Sequence, residues 1–294
     1  MEIKEIKLSK KKNTEDFVRS YFPNFIVKLI SKLHLKTLHK KMKFYFKYGT
    51  TDFFDGVGFE VTTVCNRRCS YCQNSVYDRG LPKNSKIMDF ELFKKVIDEL
   101  VLIDYAGPIG TTSYCEPLVF KDIHIKCTKY IKEKLPKSEV ILISNGDYLT
   151  IDVYNEFVDA GVDSLILTVH EGFKSPNIPN LKKYLEENGD NRIKVVFKEI
   201  DQDKQALSNR GGVVKPKIVN YSPPCIYSSP INISWDGYLN MCCNEYLFKY
   251  TFGNVKDKTL LEIWNSEGYK RFRKDVRNRD FKLPICKKCV GIDK

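Results

Sequence analysis

No stretch of this sequence reaches the roughly 18–20 uninterrupted apolar residues needed to cross a bilayer as a helix, which excludes a helical integral membrane protein. The first residues are charged from Glu2 onward and lack the apolar core of a secretory signal, so the expected location is the cytoplasm. In that reducing compartment disulfides are disfavoured, and the ten cysteines need metal or redox chemistry to explain them. Acid is scarce in one region. Residues 1–50 carry twelve Lys and one Arg against four acids, which accounts for +9 of the net +12. The rest of the chain is close to balanced, so its bulk charge does not point to nucleic acid. The basic arm itself admits either a nucleic acid or an anionic membrane surface.

Within the arm, Ile26, Leu29, Ile30, Leu33 and Leu38 recur at helical spacing, with Lys28, Lys32, Lys36, Lys40 and Lys41 on other faces. A basic amphipathic helix of this kind can lie in an anionic lipid interface, at the inner face of the membrane, or pack on the domain behind it. From Val57 short apolar runs alternate with helical patterns. Strands are predicted at 58–63, 107–112, 139–144, 164–169 and 192–198, and helices at 89–102, 123–135, 151–160 and near 181–188. That alternation makes βαβ units around a parallel sheet, and five such repeats can curl into a partial (β/α) barrel with its chemistry at the C-terminal ends of the strands. After about residue 219 the pattern changes. Two apolar runs flank Trp235-Asp236-Gly237 as a hairpin, residues 258–280 read as one helical stretch, and "LPICKKC" lies near the last residue. The expected organisation is a basic arm (1–50), an α/β partial barrel (51–218) and a small hairpin-plus-helix domain (219–294).

Eight cysteines fall into two groups, Cys65, Cys69 and Cys72 after the first strand, and Cys225, Cys242, Cys243, Cys286 and Cys289 in the last domain. Cys127, inside a helical pattern, reads as a small core residue. Three close thiols are one short of a tetrahedral metal site. Either a position is left open or zinc takes a fourth ligand from elsewhere; CxxC pairs likewise serve zinc or an iron–sulfur cluster.

The Cys65-x3-Cys69-x2-Cys72 spacing after a strand, with Tyr71 before the last cysteine, resembles the radical S-adenosylmethionine (SAM) enzymes. The resemblance implies that these three thiolates hold a [4Fe–4S] cluster whose fourth iron is left to SAM. It also implies that Glu116 of "SYCEPL" and Ser144 and Asn145 of "ISNGD" line the SAM site with Tyr71. Cys115 takes a usual glycine position there and is expected to be a turn residue. Cys225, Cys242, Cys286 and Cys289 resemble the twitch domain, a shortened SPASM module, and by that likeness hold one auxiliary [4Fe–4S] cluster, with Cys243 spare.

Further segments, "CQNSV", "SNGDYLT", "LTVHEG" and "LSNRGG", resemble the radical SAM dehydrogenases of the kind that oxidise 2-deoxy-scyllo-inosamine in butirosin biosynthesis. By this likeness Arg210 binds substrate, Tyr114 faces it, and His170 stands at the end of the fourth strand; these three are the candidate catalytic residues. The bland alternatives are a turn at Gly211-Gly212, a structural ion pair for Arg210 and a wall position for His170. The sequence departs from that kin at Cys243-Asn244-Glu245, where an aromatic and then an acid are usual, which implies a different substrate. The resulting expectation is a radical SAM oxidoreductase that turns a hydroxyl carbon of a sugar, aminosugar or cyclitol into a ketone and passes an electron to the auxiliary cluster. The substrate can be nucleotide- or lipid-linked, and flavodoxin or ferredoxin is the expected electron donor. A radical dehydratase or epimerase, a peptide-modifying twitch enzyme and a zinc-stabilised interaction protein are the competing readings, and nucleic acid is not the expected partner.

Overall fold

Five parallel strands, β1 (Val57–Phe59), β2 (Ile109–Gly110), β3 (Val140–Ser144), β4 (Ser164–His170) and β5 (Lys194–Ile200), lie side by side in chain order in a computed structural model of the protein. The structure describes residues 35–170, 175–219, 221, 225 and 229–292, and side chains from residue 41 onward. The chain divides after Phe53. Of the basic arm, helix α1 (Leu35–Tyr48) is described; the predicted apolar positions at 26–33 lie outside the described residues. Within this first unit the rings of Tyr48 and Phe53 stack with centroids 3.8 Å apart.

In the second unit each of the first four strands is followed by a helix, where the apolar spacing changes from two to about 3.6 residues. Helix α2 (Phe90–Leu102) buries Leu92, Phe93, Val96, Ile97 and Leu100, one stripe of its surface, and starts where the Asp89 carboxylate accepts the Leu92 amide at 2.9 Å. Each such side chain removed from water contributes about 1.5–3 kcal/mol. Helices α3 (Lys121–Lys134), α4 (Ile151–Ala160) and α5 (Asn177–Asn188) follow the next three strands. Cys127 is buried in α3 as a small core residue, and α4 stops where Gly161 turns left-handed. The open α/β barrel expected from the alternation is present.

The last domain does not fold apart from that sheet. Strand β6 (Ile231–Ile233) pairs parallel with β1, Val57 opposite Ile231 and Phe59 opposite Ile233, so the predicted hairpin with β7 (Tyr238–Asn240) extends the barrel sheet at its β1 edge. Strand β8 (Thr251–Asn254) completes the order β5-β4-β3-β2-β1-β6-β7-β8. The single helix expected over 258–280 is two, α6 (Leu260–Asn265) and α7 (Glu267–Arg277). Ser266 sits between them in an extended conformation and donates its hydroxyl to the Ile263 carbonyl at 2.7 Å, which ends α6 and lets α7 restart in a new direction. The corner encloses the wholly buried Arg273, whose guanidinium lies 3.6 Å from the Trp264 ring centroid and donates to the Trp264 carbonyl.

Helix α8 (Pro284–Val290), which carries Cys286 and Cys289, packs on the "LSNRGG" segment. Arg210, Gly211 and Gly212 all have positive φ, and the Asn209 amide donates to the Lys288 carbonyl at 2.8 Å. A Cβ on Gly211 (φ +67°) would lie 2.4 Å from Ile285 Cγ1. The glycine pair therefore serves a close approach between the barrel's last segment and the cysteine helix. Gly211→Ala should lower the thermal unfolding midpoint by more than Gly189→Ala. Both pay about 1–2 kcal/mol for the left-handed backbone, but Gly189 (φ +58°) has open space around it. Equal losses, measured by calorimetry, would contradict the close-approach role.

Candidate active site

Beyond β1 the chain runs into Glu60–Val64 and then the first three cysteines. Short 3₁₀ turns at Gln73–Ser75, Asp78–Gly80 and Pro82–Asn84 fold the segment back, with the Cys72 amide on the Cys69 carbonyl at 2.8 Å and the Cys65 amide on the Gly80 carbonyl at 3.1 Å. Burial pushes the Cys65 thiol up to about 12 and raises that of Cys69, and each of the two feels the charge of Cys72. In the last domain burial likewise raises Cys242 and Cys286; Cys242 feels Cys225, and Cys286 feels Cys225 and Cys289. The two groups are thus two sets of interacting thiols, Cys69 and Cys242 buried and the others half-buried. Among the described residues no three His, Cys, Asp or Glu side chains converge tightly enough for a single metal ion. Thiols that burial keeps neutral release their protons when a metal or cluster binds.

The side chains expected around SAM are brought together, though largely through bonds to one another. Glu116, 2% exposed, accepts Ser144 Oγ at 2.7 Å, the Asn145 amide at 2.8 Å and the Leu118 amide at 3.2 Å. Burial outweighs these hydrogen bonds and raises its carboxyl to about 7. Glu116 therefore braces the turn after β3 against the turn after β2. Asn145 reaches Asn66 Oδ1 at 2.9 Å, and Arg67 pairs with Asp147, its Nε 2.8 Å from Oδ2, so the cysteine loop and the β3 turn are cross-linked. Tyr71 hydrogen-bonds His170 Nδ1 through its hydroxyl, with the two rings 16° from parallel, and Cys69 Sγ lies 3.7 Å from the same nitrogen. Burial, aided by the Arg67 charge, lowers His170 to about 4, so its imidazole is neutral near pH 7. The contacts of His170 are thus with the cysteine loop. Cys115 is a half-buried turn residue hydrogen-bonded to Thr62.

Tyr114 stands between the two thiol groups: its phenol feels Cys243, Cys242, Arg210 and Cys72, and burial holds it protonated. Arg210 Nη1 lies 3.5 Å from Asn244 Oδ1. Three further side chains complete this region. Arg79 pairs with the buried Glu60, donates to the Tyr246 carbonyl and lies 4.4 and 4.6 Å from the Tyr246 and Phe248 ring centroids. Gln73, wholly buried, donates to the Asn244 carbonyl at 2.7 Å. Asn244 reaches Cys289 Sγ at 3.4 Å. Glu245 turns the other way and caps the Leu247, Lys249 and Tyr250 amides. Its carboxylate thus has a local, structural role.

Buried polar atoms without a partner among the described residues include Tyr114 Oη, Gln73 Oε1, Thr112 Oγ1 and both terminal nitrogens of Arg68. Such atoms cost about 1–3 kcal/mol each when left unpaired, and Tyr114 Oη and Gln73 Oε1 are free to meet a polar ligand.

Two sets of thiols, one of them beyond the first of the parallel strands, suit a radical SAM enzyme with an auxiliary iron–sulfur domain. Residues 59–210 match the model of the radical SAM superfamily and residues 225–290 that of SPASM, an iron–sulfur cluster-binding domain, and the chain belongs to the radical SAM superfamily. Its cofactors are SAM and two [4Fe–4S] clusters, one that binds SAM and one auxiliary. Among known proteins it is similar to the S-adenosyl-L-methionine-dependent 2-deoxy-scyllo-inosamine dehydrogenase of Niallia circulans, 30% identical over 246 residues that span 81% of this chain and 94% of the relative. It is similar, at 24% identity over 78% of this chain and 85% of the relative, to the tungsten-containing aldehyde ferredoxin oxidoreductase cofactor-modifying protein of Pyrococcus furiosus. The crystal structure of BtrN in complex with AdoMet and 2-DOIA superposes with a TM-score of 0.70 at 28% identity, covering 81% of this chain and 93% of that one.

Glu116 gives a pH signature. An acid whose folded value, about 7, stands above its ordinary 4.5 keeps a proton in the folded state that the unfolded chain has released, so its contribution to stability is lost as pH rises through that window. In cluster-free protein the unfolding midpoint should fall more steeply between about pH 5 and about pH 7.5 than in Glu116→Gln. Parallel profiles would contradict the buried, high-pKa carboxyl.

Proposed function

We propose that this enzyme oxidises a secondary alcohol of a sugar, aminosugar or cyclitol to a ketone, in the manner named for the Niallia circulans relative. The observation that carries the reading is the position of Tyr114, whose unpartnered buried hydroxyl stands between Cys72 and the Cys242–Cys243 pair with Arg210 as its charged neighbour. When bound, SAM with its cluster supplies the 5′-deoxyadenosyl radical that takes a hydrogen atom, and the auxiliary cluster supplies a one-electron acceptor. Cys65, Cys69 and Cys72 would hold the first cluster, and Cys225, Cys242, Cys286 and Cys289 the second. Tyr71, Ser144 and Asn145 would line the SAM site, with Glu116 holding the β3 turn that presents them.

The chain's own groups then orient the alcohol. Arg210 is always protonated and cannot serve as a base; its guanidinium binds and aligns a hydroxyl or an anionic group. Tyr114, kept protonated by burial, donates to the same substrate, and Gln73 Oε1 is a buried acceptor beside them. His170, neutral and bonded to Tyr71, holds the aromatic next to Cys72 in place. The alcohol loses a hydrogen atom, a proton and an electron in becoming a ketone, and a low-potential protein such as flavodoxin or ferredoxin would supply the electron that starts each turnover. Incubation with SAM, reductant and candidate polyols should release 5′-deoxyadenosine in step with a product about two mass units lighter. Solvent deuterium entering a product of unchanged mass would show epimerisation instead. Arg210→Met should lower kcat/KM by about tenfold or more, since loss of a hydrogen bond to a charged group costs about 1.5–3 kcal/mol.

The arm supports a location for that substrate. Among the described residues no helix is long and apolar enough to cross a membrane. Helix α1, however, carries no acid and exposes Met42, Tyr45 and Phe46, at 50, 59 and 79%, one above another beside Lys41 and Lys43. An aromatic face flanked by lysines suits an anionic bilayer surface, and a lipid- or nucleotide-linked carbohydrate would be met there. Full-length protein should co-sediment with phosphatidylglycerol vesicles but not with phosphatidylcholine vesicles, and Tyr45→Glu with Phe46→Glu should abolish it. Binding untouched by these changes, or seen with DNA of equal charge but not with vesicles, would contradict the proposal.

A further inference from the structure

Asn244 joins the two halves of the site through one amide group. Its Nδ2 lies 3.4 Å from Cys289 Sγ and 3.3 Å from Ser208 Oγ, while its Oδ1 lies 3.5 Å from Arg210 Nη1. The orientation follows from chemistry, because a guanidinium only donates and must face the amide oxygen, which leaves the N–H for the sulfur. The main-chain carbonyl of the same residue accepts Gln73 Nε2 at 2.7 Å, and Gln73 follows Cys72 directly. Asn244 is 2% exposed, so its dipole acts in a medium that screens it weakly.

We infer that Asn244 is a positioning residue that donates an N–H to the Cys289 sulfur and thereby raises the reduction potential of the auxiliary cluster. The inference rests on Cys289 being a ligand of that cluster. Reduction adds negative charge to a cluster and its thiolates, and an N–H aimed at a ligand sulfur stabilises the added charge. Arg210, bound to the oxygen end of the same amide, polarises it and strengthens the donor. The residue that orients the alcohol and the sulfur that receives its electron are coupled through a neutral group. An acid at this position would add negative charge beside the cluster and lose the donor as well.

The test is a potentiometric titration, followed by electron paramagnetic resonance, of anaerobically reconstituted full-length protein. The SAM-binding cluster is recognised by the change in its signal on adding SAM. In Asn244→Leu the auxiliary potential should fall while that of the SAM cluster stays put, and in Asn244→Asp it should fall further. In wild-type protein exchanged into deuterium oxide, pulsed resonance on the reduced auxiliary cluster should show an exchangeable deuteron that both variants lack. An unmoved auxiliary potential at full iron content overturns the inference, as does the absence of that deuteron in the wild type, which decides the matter even where a variant fails to load iron. A Cys289→Ala protein that still binds both clusters would overturn the ligand assignment itself, and the inference with it.

Discussion

Gln73 is wholly buried, and its carboxamide donates to the carbonyl of Asn244, a residue 171 positions later in the chain. That bond, with the close packing of Gly211 against Ile285 and the β1–β6 pairing, fixes the second set of cysteines against the first. The distance an electron must cross, and the width of the space for a substrate, depend on those contacts rather than on either cysteine set alone. Tyr114, Arg210 and Asn244 belong to three different segments and meet because the segments are held there.

The electrostatics of this junction are set by burial. The thiols of Cys65, Cys242 and Cys286 are all driven toward the neutral form, a state that iron relieves by replacing protons. Arg79 is one half-buried cation of the junction, held by Glu60 and by the Tyr246 and Phe248 rings, and Arg210, also half-buried, is another near Tyr114. Guanidinium groups, a phenol and an amide gathered in one region suit the hydroxyl-rich substrate proposed above. Asn244 is neutral and leaves that positive balance intact.

Much of this was legible in the sequence because it is local. The spacing of Cys65, Cys69 and Cys72, the alternation of strands and helices, and the turn at Trp235-Asp236-Gly237 each need only a few neighbouring residues to be read. The parallel pairing of β6 with β1 was not legible, since β6 is too short to declare a partner. Nor was the break at Ser266, whose side chain competes with the backbone for a carbonyl inside an otherwise continuous amphipathic pattern. The partners of Arg79, Gln73 and Asn244 were not legible, since each takes its place from contacts across 19 to 171 residues of sequence. The roles of Glu116 and His170 are visible only once their partners Ser144, Asn145 and Tyr71 are in place.

In the proposed reaction two sets of thiols build two clusters with the alcohol between them. Mössbauer spectroscopy with iron counting on anaerobically reconstituted wild-type protein tests it most directly. The account predicts about eight irons per chain, all in [4Fe–4S] form, with about four lost when Cys225, Cys242, Cys286 and Cys289 are replaced together. About four irons in the wild-type chain, with zinc bound in the C-terminal domain, would contradict it.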